Sequence, residues 1–261
     1  MNRLSICVVL AALGCGHSTA ETLWGLYQFD NPGNVGLDST SNHNDLSVFG
    51  SAIYTSSGQY GGGLLLATGD LSTSSGSVPS GFPLGNSNYT LSAWIQTAAT
   101  GSLGIIGWGN YGSTGQVNAL RLDGTGGIDN YWWGGGYDLV TAAATDDDVF
   151  HNITVTFDGT TRIIYFDDVA IAQDTPPAGH NVADLNFAIG RTFSGEYFAG
   201  TLDNVAVFDD ALTPAQVATV AGGDFSAFGV GGASAVPEPS TALLTVAGAA
   251  LLVWRRRRSR G

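Results

Sequence analysis

The chain contains no lysine, and of its nine arginines only Arg121, Arg162 and Arg191 lie between residues 21 and 235. The same span holds twenty aspartate and glutamate residues beyond Glu21, so it is far more acidic than the whole-chain net charge of -13 indicates. Binding to nucleic acid needs a basic surface that neutralises phosphates, and this composition excludes it. The acidity is compatible with divalent cations or with solubility in a saline exterior.

Glutamate is scarce as well, because Glu21, Glu196 and Glu238 are the only three in the chain. Hydrolysis of a glycosidic bond requires two carboxylates that flank it, and the sequence has no Glu-x-Asp-x-Glu strand. The aspartate runs at 146–148 and 167–168 have the local pattern of turns. No Gly-x-Ser-x-Gly elbow, zinc-type histidine cluster or phosphate loop is present. We therefore expect a protein that is not an enzyme.

The amino-terminal segment has the pattern of a secretory signal. Arg3 precedes the apolar run 4–13, and small residues end the segment at Ala20. We expect residues 1–20 to direct export by the Sec machinery and to be removed by signal peptidase, which leaves Glu21 as the mature amino terminus. The alternative is a buried amino-terminal strand.

Both cysteines of the chain, Cys7 and Cys15, lie within this signal segment. The mature protein would therefore have no cysteine, so disulfides are excluded as a source of its stability even though export would permit them. Lipidation at Cys15 is a second alternative. Ala12 stands where a lipoprotein signal usually has a large aliphatic residue.

The carboxy-terminal segment 236–261 combines three features in a fixed order. The motif Pro237-Glu238-Pro239 comes first, and its prolines prevent a helix from starting before them. The apolar run 242–254 follows and is short for a permanent span of about 30 Å. A basic block that favours retention on the cytoplasmic side ends the tail: Arg255, Arg256, Arg257 and Arg258.

This tail resembles the PEP-CTERM sorting signal of Gram-negative bacteria. The resemblance implies that exosortase recognises the chain while its carboxy-terminal helix holds it in the inner membrane, and then cuts near Pro237 to Pro239. It also implies delivery to the cell surface or to an extracellular matrix that contains exopolysaccharide. The alternative is an ordinary single-pass membrane anchor.

The remaining chain, residues 21–222, is predicted to form one all-β domain. Short segments rich in Val, Ile, Phe, Tyr and Trp alternate with turn residues, and glycine is very abundant at 38 residues. This arrangement is typical of a β-sandwich or jelly roll. The clearest predicted strands are 23–29, 90–96, 151–157, 162–166, 186–189 and 200–208.

A single helix is predicted near the end of this domain. Thr213 and Gln216 form a capping box, and Pro214 occupies the first helical position. Gly222 would end the helix. Residues 223–235 are rich in Gly, Ser and Ala, and we expect them to form a flexible linker to the sorting tail.

The order of these elements resembles a laminin-G-like, concanavalin A-like jelly-roll domain of the bacterial extracellular type, over about residues 23–222. The resemblance rests on five segments: 26–30 with the loop 38–46, the tryptophan strand 91–95, the strand and hairpin 150–159, the closing strand 198–208 and the helix 212–220. In that family an aspartate from each end of the domain holds a structural calcium ion. The resemblance thus implies that Asp30 and Asp203 bind calcium, with Asn44 and Asp45 near the remaining positions. The alternative is that Asp30 and Asp203 only cap turns.

Six aromatic residues crowd a glycine-rich region where loops are expected. Aromatic faces stack on sugar rings, and loops commonly carry function on sandwich folds. We therefore predict a non-catalytic domain that binds carbohydrate, with extracellular polysaccharide as the expected partner. The alternatives are a structural or adhesive matrix protein without a sugar site, a divergent glycoside hydrolase, and burial of these aromatic residues in the core. The six are Trp108, Tyr111, Tyr131, Trp132, Trp133 and Tyr137.

Overall fold

The computed structural model describes residues 22–193 and 195–230. Fifteen strands, one α-helix and a 3-10 turn at Ser226–Phe228 make up the described part. The elements are β1 Leu23–Tyr27, β2 Ser47–Phe49, β3 Ala52–Thr55, β4 Gly63–Leu66, β5 Asp70–Ser72, β6 Tyr89–Gln96, β7 Leu103–Gly109, β8 Val117–Leu122, β9 Ile128–Tyr131, β10 Leu139–Thr141, β11 His151–Phe157, β12 Arg162–Phe166, β13 Val169–Asp174, β14 Ala188–Ile189, β15 Gly200–Phe208 and α1 Pro214–Ala221.

The strands form two antiparallel sheets. The first, which we call sheet A, has eight strands in the order β13-β12-β11-β6-β15-β4-β3, with β1 paired to β15 beside this path. One edge of β15 pairs with β4 over 200–202 and with β1 over 205–208. The second, sheet B, has seven strands in the order β10-β9-β8-β7-β14-β5-β2. The prediction of an all-β jelly-roll sandwich with one short helix is confirmed.

The main core lies between the two sheets and is formed by the inward residues of their alternating strands. Leu91, Ala93 and Ile95 of β6 face Ile106 and Leu120 from sheet B in a single cluster of buried side chains. Residues on the other parity of each strand point away from this core. The two outer faces of the sandwich are therefore available for a helix on one side and for a site on the other.

Helix α1 covers part of the outer face of sheet A. Thr213 caps its first turn in the predicted capping box with Gln216. Val217 and Val220 are buried in a second apolar cluster, which includes Phe208 of β15.

The chain continues to pack beyond Gly222, where the sequence placed the end of the domain. Phe225 is fully buried in the second apolar cluster, and Phe228 packs edge-on against Phe208 with ring centroids 4.8 Å apart. Residues 223–230 therefore belong to the folded domain, because their two phenylalanines cover apolar surface that α1 leaves open. The linker predicted at 223–235 therefore does not include residues 223–230.

Several predicted segments lie outside the described residues. They are the signal 1–20 with its cleavage site at Ala20 and Glu21, the rest of the linker, and the tail with Pro237, Glu238, Pro239 and Arg255 to Arg258. Among the described residues, no helix has both the length and the apolar composition needed to cross a bilayer.

Candidate functional site

The outer face of sheet B carries a group of side chains that are separate from the main core. On β8 and β9 the alternation turns Leu120, Leu122 and Ile128 inward, where they join the main core. The intervening Ala119 and Tyr131 form a small separate cluster on the opposite side of the sheet, together with Val117. Strand β7, with the sequence Leu-Gly-Ile-Ile-Gly-Trp-Gly, contains three glycines, and at Gly107 it leaves room on this face for the Tyr111 side chain.

Four aromatic rings meet on this surface, and we call them the aromatic face: Tyr111, Tyr131, Trp133 and Phe193. Trp133 lies 5.6 Å from Tyr131, 6.2 Å from Tyr111 and 5.1 Å from Phe193, measured between ring centroids. Tyr111 is also 5.8 Å from Phe193. Trp133 is half-buried and Phe193 is 39% exposed, so these two rings present the accessible surface of the group.

An arginine with two carboxylates adjoins the aromatic face. The Arg121 guanidinium lies 4.2 Å above the ring of Tyr131, donates to Asp129 at 3.0 Å and pairs with Glu196. Glu196 also accepts a hydrogen bond of 2.6 Å from the Thr192 hydroxyl. Burial acts to lower the pKa of Arg121, but Asp129 and Glu196 outweigh it and raise that pKa. Burial raises the pKa of Asp129 to about 6, against the effect of Arg121.

Three buried polar atoms at this face have no hydrogen-bond partner within the described part of the chain: Tyr111 Oη, Tyr131 Oη and Asp129 Oδ1. Burial raises the pKa of both tyrosines well above 10.0, so their hydroxyls remain proton donors at neutral pH. A Cβ at Gly107 of β7 would lie only 2.7 Å from Tyr111 Oη, so glycine is required there for the tyrosine to lie across the sheet. Unsatisfied buried polar groups are costly, which makes these atoms candidates for bonds to a ligand.

The structure divides the six predicted aromatic residues into two groups. Tyr111, Tyr131 and Trp133 meet on the aromatic face, as described. Trp108 and Trp132 are fully buried in the main core instead of lying at the surface. Their indole groups donate to Pro83 O and to the Tyr89 hydroxyl, at 3.0 and 3.1 Å. A ligand cannot reach either ring in this fold.

Tyr137, the sixth predicted residue, is half-buried away from the other three. Its hydroxyl donates to Ala178 O at 3.0 Å, and its ring packs beside Gly115. The sequence reasoning did not identify Phe193, Arg121 or Glu196 as site residues. Phe193 and Glu196 come from a distant loop, and no local pattern marks them.

The predicted calcium ligands Asp30 and Asp203 contact the same loop, which connects β3 and β4. Asp30 Oδ1 accepts from Gly62 N at 2.6 Å, and Asp203 Oδ2 accepts from Tyr60 N at 2.7 Å. Asp203 is fully buried, and its Oδ1 has no partner among the described residues. Burial raises the pKa of Asp203 to about 7, and the charge of Asp30 acts in the same direction. A Cβ at Gly61 would stand 2.3 Å from Asp30 Oδ1, so the loop leaves space only for glycine beside this carboxylate.

Asn44 and Asp45, the other predicted ligands, are engaged elsewhere. The Asn44 side chain donates to Trp24 O and Ser80 O at 3.0 and 3.1 Å, and Asp45 Oδ1 accepts from Asp38 N at 2.9 Å. These bonds hold the loop after β1 in place. Across residues 22–193 and 195–230, no group of three or more His, Cys, Asp or Glu side chains is arranged to share a metal ion.

A family model for laminin-G-like domains, described as the concanavalin A-like lectin/glucanases superfamily, matches residues 69–218. No curated protein sequence matches the chain significantly. Domain 4 of AbnA, a GH43 extracellular arabinanase from Geobacillus stearothermophilus solved in complex with arabinotriose, is similar with a TM-score of 0.62 and 20% identity, over 77% of this chain and 99% of that chain.

Two toxin domains are also similar in structure. The binding domain of Paraclostridial Mosquitocidal Protein 1 has a TM-score of 0.55 and 12% identity, over 77% of this chain and 52% of that chain. The receptor binding domain of botulinum neurotoxin D has a TM-score of 0.54 and 13% identity, over 78% of this chain and 53% of that chain. The chain thus spans about half the length of both toxin domains, and at these identities the likeness concerns the fold alone.

Proposed function

Since the chain belongs to the concanavalin A-like lectin/glucanases superfamily, we propose that its jelly-roll domain binds carbohydrate, without hydrolysing it, on the aromatic face of sheet B. The observation that carries this proposal is the combination of accessible rings with unsatisfied polar atoms. Trp133 and Phe193 offer ring faces, and Tyr111, Tyr131 and Asp129 have buried oxygens without partners. A sugar has apolar C–H faces that stack on aromatic rings and hydroxyls that bond to such oxygens.

The test is a glycan array followed by calorimetric titration of the oligosaccharide that binds most tightly. Trp133→Ala removes the most central accessible ring, and we expect the affinity to fall about tenfold, which is about 1.4 kcal/mol. Trp133→Tyr keeps a ring at this position, and we expect it to stay within about threefold of the parent affinity. Equal affinities for the parent and Trp133→Ala, both folded by thermal melting, would contradict the proposal.

A divergent glycoside hydrolase is the second candidate, because Asp129 and Glu196 both contact Arg121 on this face and burial raises the pKa of Asp129 to about 6. A carboxylic acid with a raised pKa is a usual general acid. The arrangement favours binding instead, because Arg121 pairs with both carboxylates and holds them as a scaffold. Release of reducing sugar from the bound oligosaccharide, lost in Asp129→Asn, would establish the hydrolase.

A structural or adhesive matrix protein without a sugar site is the remaining alternative. In that case the aromatic face would contact another protein or a second copy of the chain. Absence of binding across a broad glycan panel would favour this alternative over the carbohydrate proposal.

We also propose one structural calcium ion at Asp30 and Asp203. The unpartnered, buried Asp203 Oδ1 and the nearby Asp30 suit a cation that prefers carboxylate and carbonyl oxygens. A bound calcium ion would supply positive charge that offsets the two carboxylates and would fix the β3–β4 loop to β15. Asn44 and Asp45 have no part in this proposal, because their side chains hold a different loop.

The proposed route of this domain is export through the Sec machinery, cleavage by signal peptidase after Ala20, temporary residence in the inner membrane and processing by exosortase at the tail. The pattern of residues at both ends of the chain supports it. Mass spectrometry of the protein recovered from the cell surface or the extracellular matrix should show Glu21 as the first residue and no Arg255–Arg258 block. Recovery of the intact tail in the membrane fraction would instead indicate an ordinary anchor.

A further inference from the structure

A cleft of about 460 Å³ opens on the outer side of sheet A, where helix α1 ends. It lies on the opposite sheet from the aromatic face and takes no part in the carbohydrate binding proposed above, and Tyr60 in its lining belongs to the β3–β4 loop, whose backbone bonds Asp203. Its lining includes the rings of Tyr60 and Trp94, the side chains of His151, Asp167 and Asp168, and the last turn of α1. Its volume falls within the range of about 300–1,000 Å³ that is usual for small-molecule sites.

Two aromatic rings form a fixed corner of this cleft. The rings of Tyr60 and Trp94 meet edge to face, with centroids 5.8 Å apart and an angle of 73° between their planes. The Tyr60 hydroxyl and the Trp94 indole both donate to Ala221 O, at 3.1 and 3.0 Å. Because these bonds occupy the polar ends of both side chains, the rings offer a ligand only their apolar and π surfaces.

The remaining lining is electronegative. Asp167 accepts from Asn152 N at 2.9 Å and bonds His151 Nδ1 at 2.8 Å, and His151 Nε2 lies 3.2 Å from Asp147. Asp168, exposed in the hairpin turn between β12 and β13, has no ion pair or hydrogen bond among the described residues. Asp167 and Asp168 line the cleft and Asp147 lies beside it, so three carboxylates surround the single imidazole of His151.

The helix end and the arginines add to this charge pattern. The carboxyl end of α1 carries partial negative charge, and its last turn contains no basic residue. The three arginines of the described part all pair with carboxylates elsewhere, and the chain has no lysine. Within residues 22–193 and 195–230, His151 is therefore the only basic side chain in the lining of the cleft.

The same geometry indicates an organic cation in preference to a metal ion. The two ring nitrogens of His151 point at different aspartates, Asp147 and Asp167, so they cannot ligate one ion together with both carboxylates. Aromatic rings attract a cation whose charge is spread over an organic group. We propose that this cleft binds a small organic ammonium ion, in which the positive group lies against Trp94 and Tyr60 and faces the carboxylates of Asp167 and Asp168.

Calorimetric titration of the full 261-residue chain in mild detergent at low ionic strength tests this site with matched pairs of probes. Choline is compared with its neutral isostere 3,3-dimethylbutan-1-ol, and glucosamine with glucose. We expect at least one cation of the two pairs to bind about tenfold more tightly than its neutral partner. Choline tests for a quaternary ammonium ligand and glucosamine for an amino sugar, and preference for either cation supports the proposal.

Asp168→Asn tests the carboxylate in a turn where asparagine fits the left-handed backbone. We expect this variant to bind the preferred cation about threefold to fivefold more weakly. Asp146→Asn is the matched control, because it removes the same charge from an exposed residue beside Gly126 that does not line the cleft. Trp94→Leu should abolish the preference for the cation over its neutral partner.

Equal binding of cationic and neutral probes, or no binding of any of the four, would overturn the proposal. An affinity for the cation that is the same in Asp168→Asn and Asp146→Asn would also overturn it, because the attraction would then come from the overall negative charge of the protein. Thermal melting of each variant shows whether it is folded.

Discussion

Replacing Arg162 by methionine is expected to lower the free energy of unfolding by about 3–5 kcal/mol. The change removes a buried guanidinium that pairs with a carboxylate and donates to backbone carbonyl oxygens. Arg162 is fully buried, and its guanidinium forms a fork with Asp174 at 3.1 and 2.7 Å. It also donates to Asn130 O at 3.2 Å and to Tyr137 O at 2.9 Å, and it lies 4.2 Å above the ring of Trp132. Arg162 lies on β12 of sheet A, Asn130 on β9 of sheet B, and Trp132 and Tyr137 in the connection from β9 to β10, so one side chain joins the two sheets.

Arg191 provides the matched control for this prediction. It pairs with the buried Asp70 through a single hydrogen bond of 3.2 Å and its own side chain is 26% exposed, so Arg191→Met should cost less than Arg162→Met, which loses four hydrogen-bond partners. Chemical denaturation of both variants gives the comparison. If the two variants lose the same free energy of unfolding, the Arg162 guanidinium does not hold the sheets together. Because β9 carries Asp129 and Tyr131, we expect the Arg162 change also to disturb the aromatic face.

Asp203→Asn is expected to have opposite effects on the protein with and without calcium. Burial and the charge of Asp30 raise the pKa of Asp203 to about 7, so at pH 8 the ionised carboxylate lowers the stability of the calcium-free protein. Its replacement by a neutral isostere should therefore stabilise that form by about 1–3 kcal/mol. The same change removes half of the proposed carboxylate pair. For the parent protein, calcium at a hundredfold excess over its dissociation constant should add about 2.7 kcal/mol, and this increment should disappear in the variant.

Thermal melting with calcium and with chelator measures both effects. Asp184→Asn is a suitable control for unspecific binding to an acidic protein, because Asp184 accepts from Val78 N rather than from the β3–β4 loop. Calcium should stabilise that variant as it stabilises the parent. A parent melting temperature that is identical in calcium and in chelator would remove the calcium proposal and leave the fold unaffected.

Local sequence patterns were sufficient to predict the strands that are richest in β-branched and aromatic residues. The strands predicted at 151–157, 162–166 and 200–208 have these bounds in the structure, and the capping box starts α1 at Pro214. These elements are specified by neighbouring residues: runs of β-branched and aromatic side chains in the strands, and a reciprocal cap in the helix.

Other strands depend on their position in the sheet rather than on their own residues. Strand β7 contains three glycines, which weaken the intrinsic preference for a strand, yet it pairs with β8 and β14 in the middle of sheet B. Strands β2 and β5 have only three residues each, too few for an alternation to be visible. They form because the neighbouring strand offers unpaired backbone N–H and C=O groups at its edge.

The candidate site could be predicted only in part for the same reason. Trp132 and Trp133 lie on opposite faces, as the sequence indicated, but both follow the end of β9 at Tyr131, and Trp133 has a left-handed backbone with φ of 69°. Strand parity therefore does not set their arrangement, and the sequence does not say which of the two faces inward. Here Trp132 packs in the main core and Trp133 on the aromatic face. Phe193 reaches the aromatic face from another loop, and Tyr60 meets Trp94 across the cleft, through contacts that only the folded chain creates.

The most direct test of carbohydrate binding on the aromatic face is an NMR titration that observes the indole N–H groups while the tightest-binding oligosaccharide is added. Three tryptophans of the described part are partly exposed, and each reports a different surface: Trp133 the aromatic face, Trp94 the cleft beside α1, and Trp24 the end of β1. We predict that the Trp133 signal shifts with saturation while the signals of Trp94 and Trp24 stay in place. A saturating shift of Trp94 or Trp24 with Trp133 unmoved would contradict the proposal that sheet B carries the carbohydrate site.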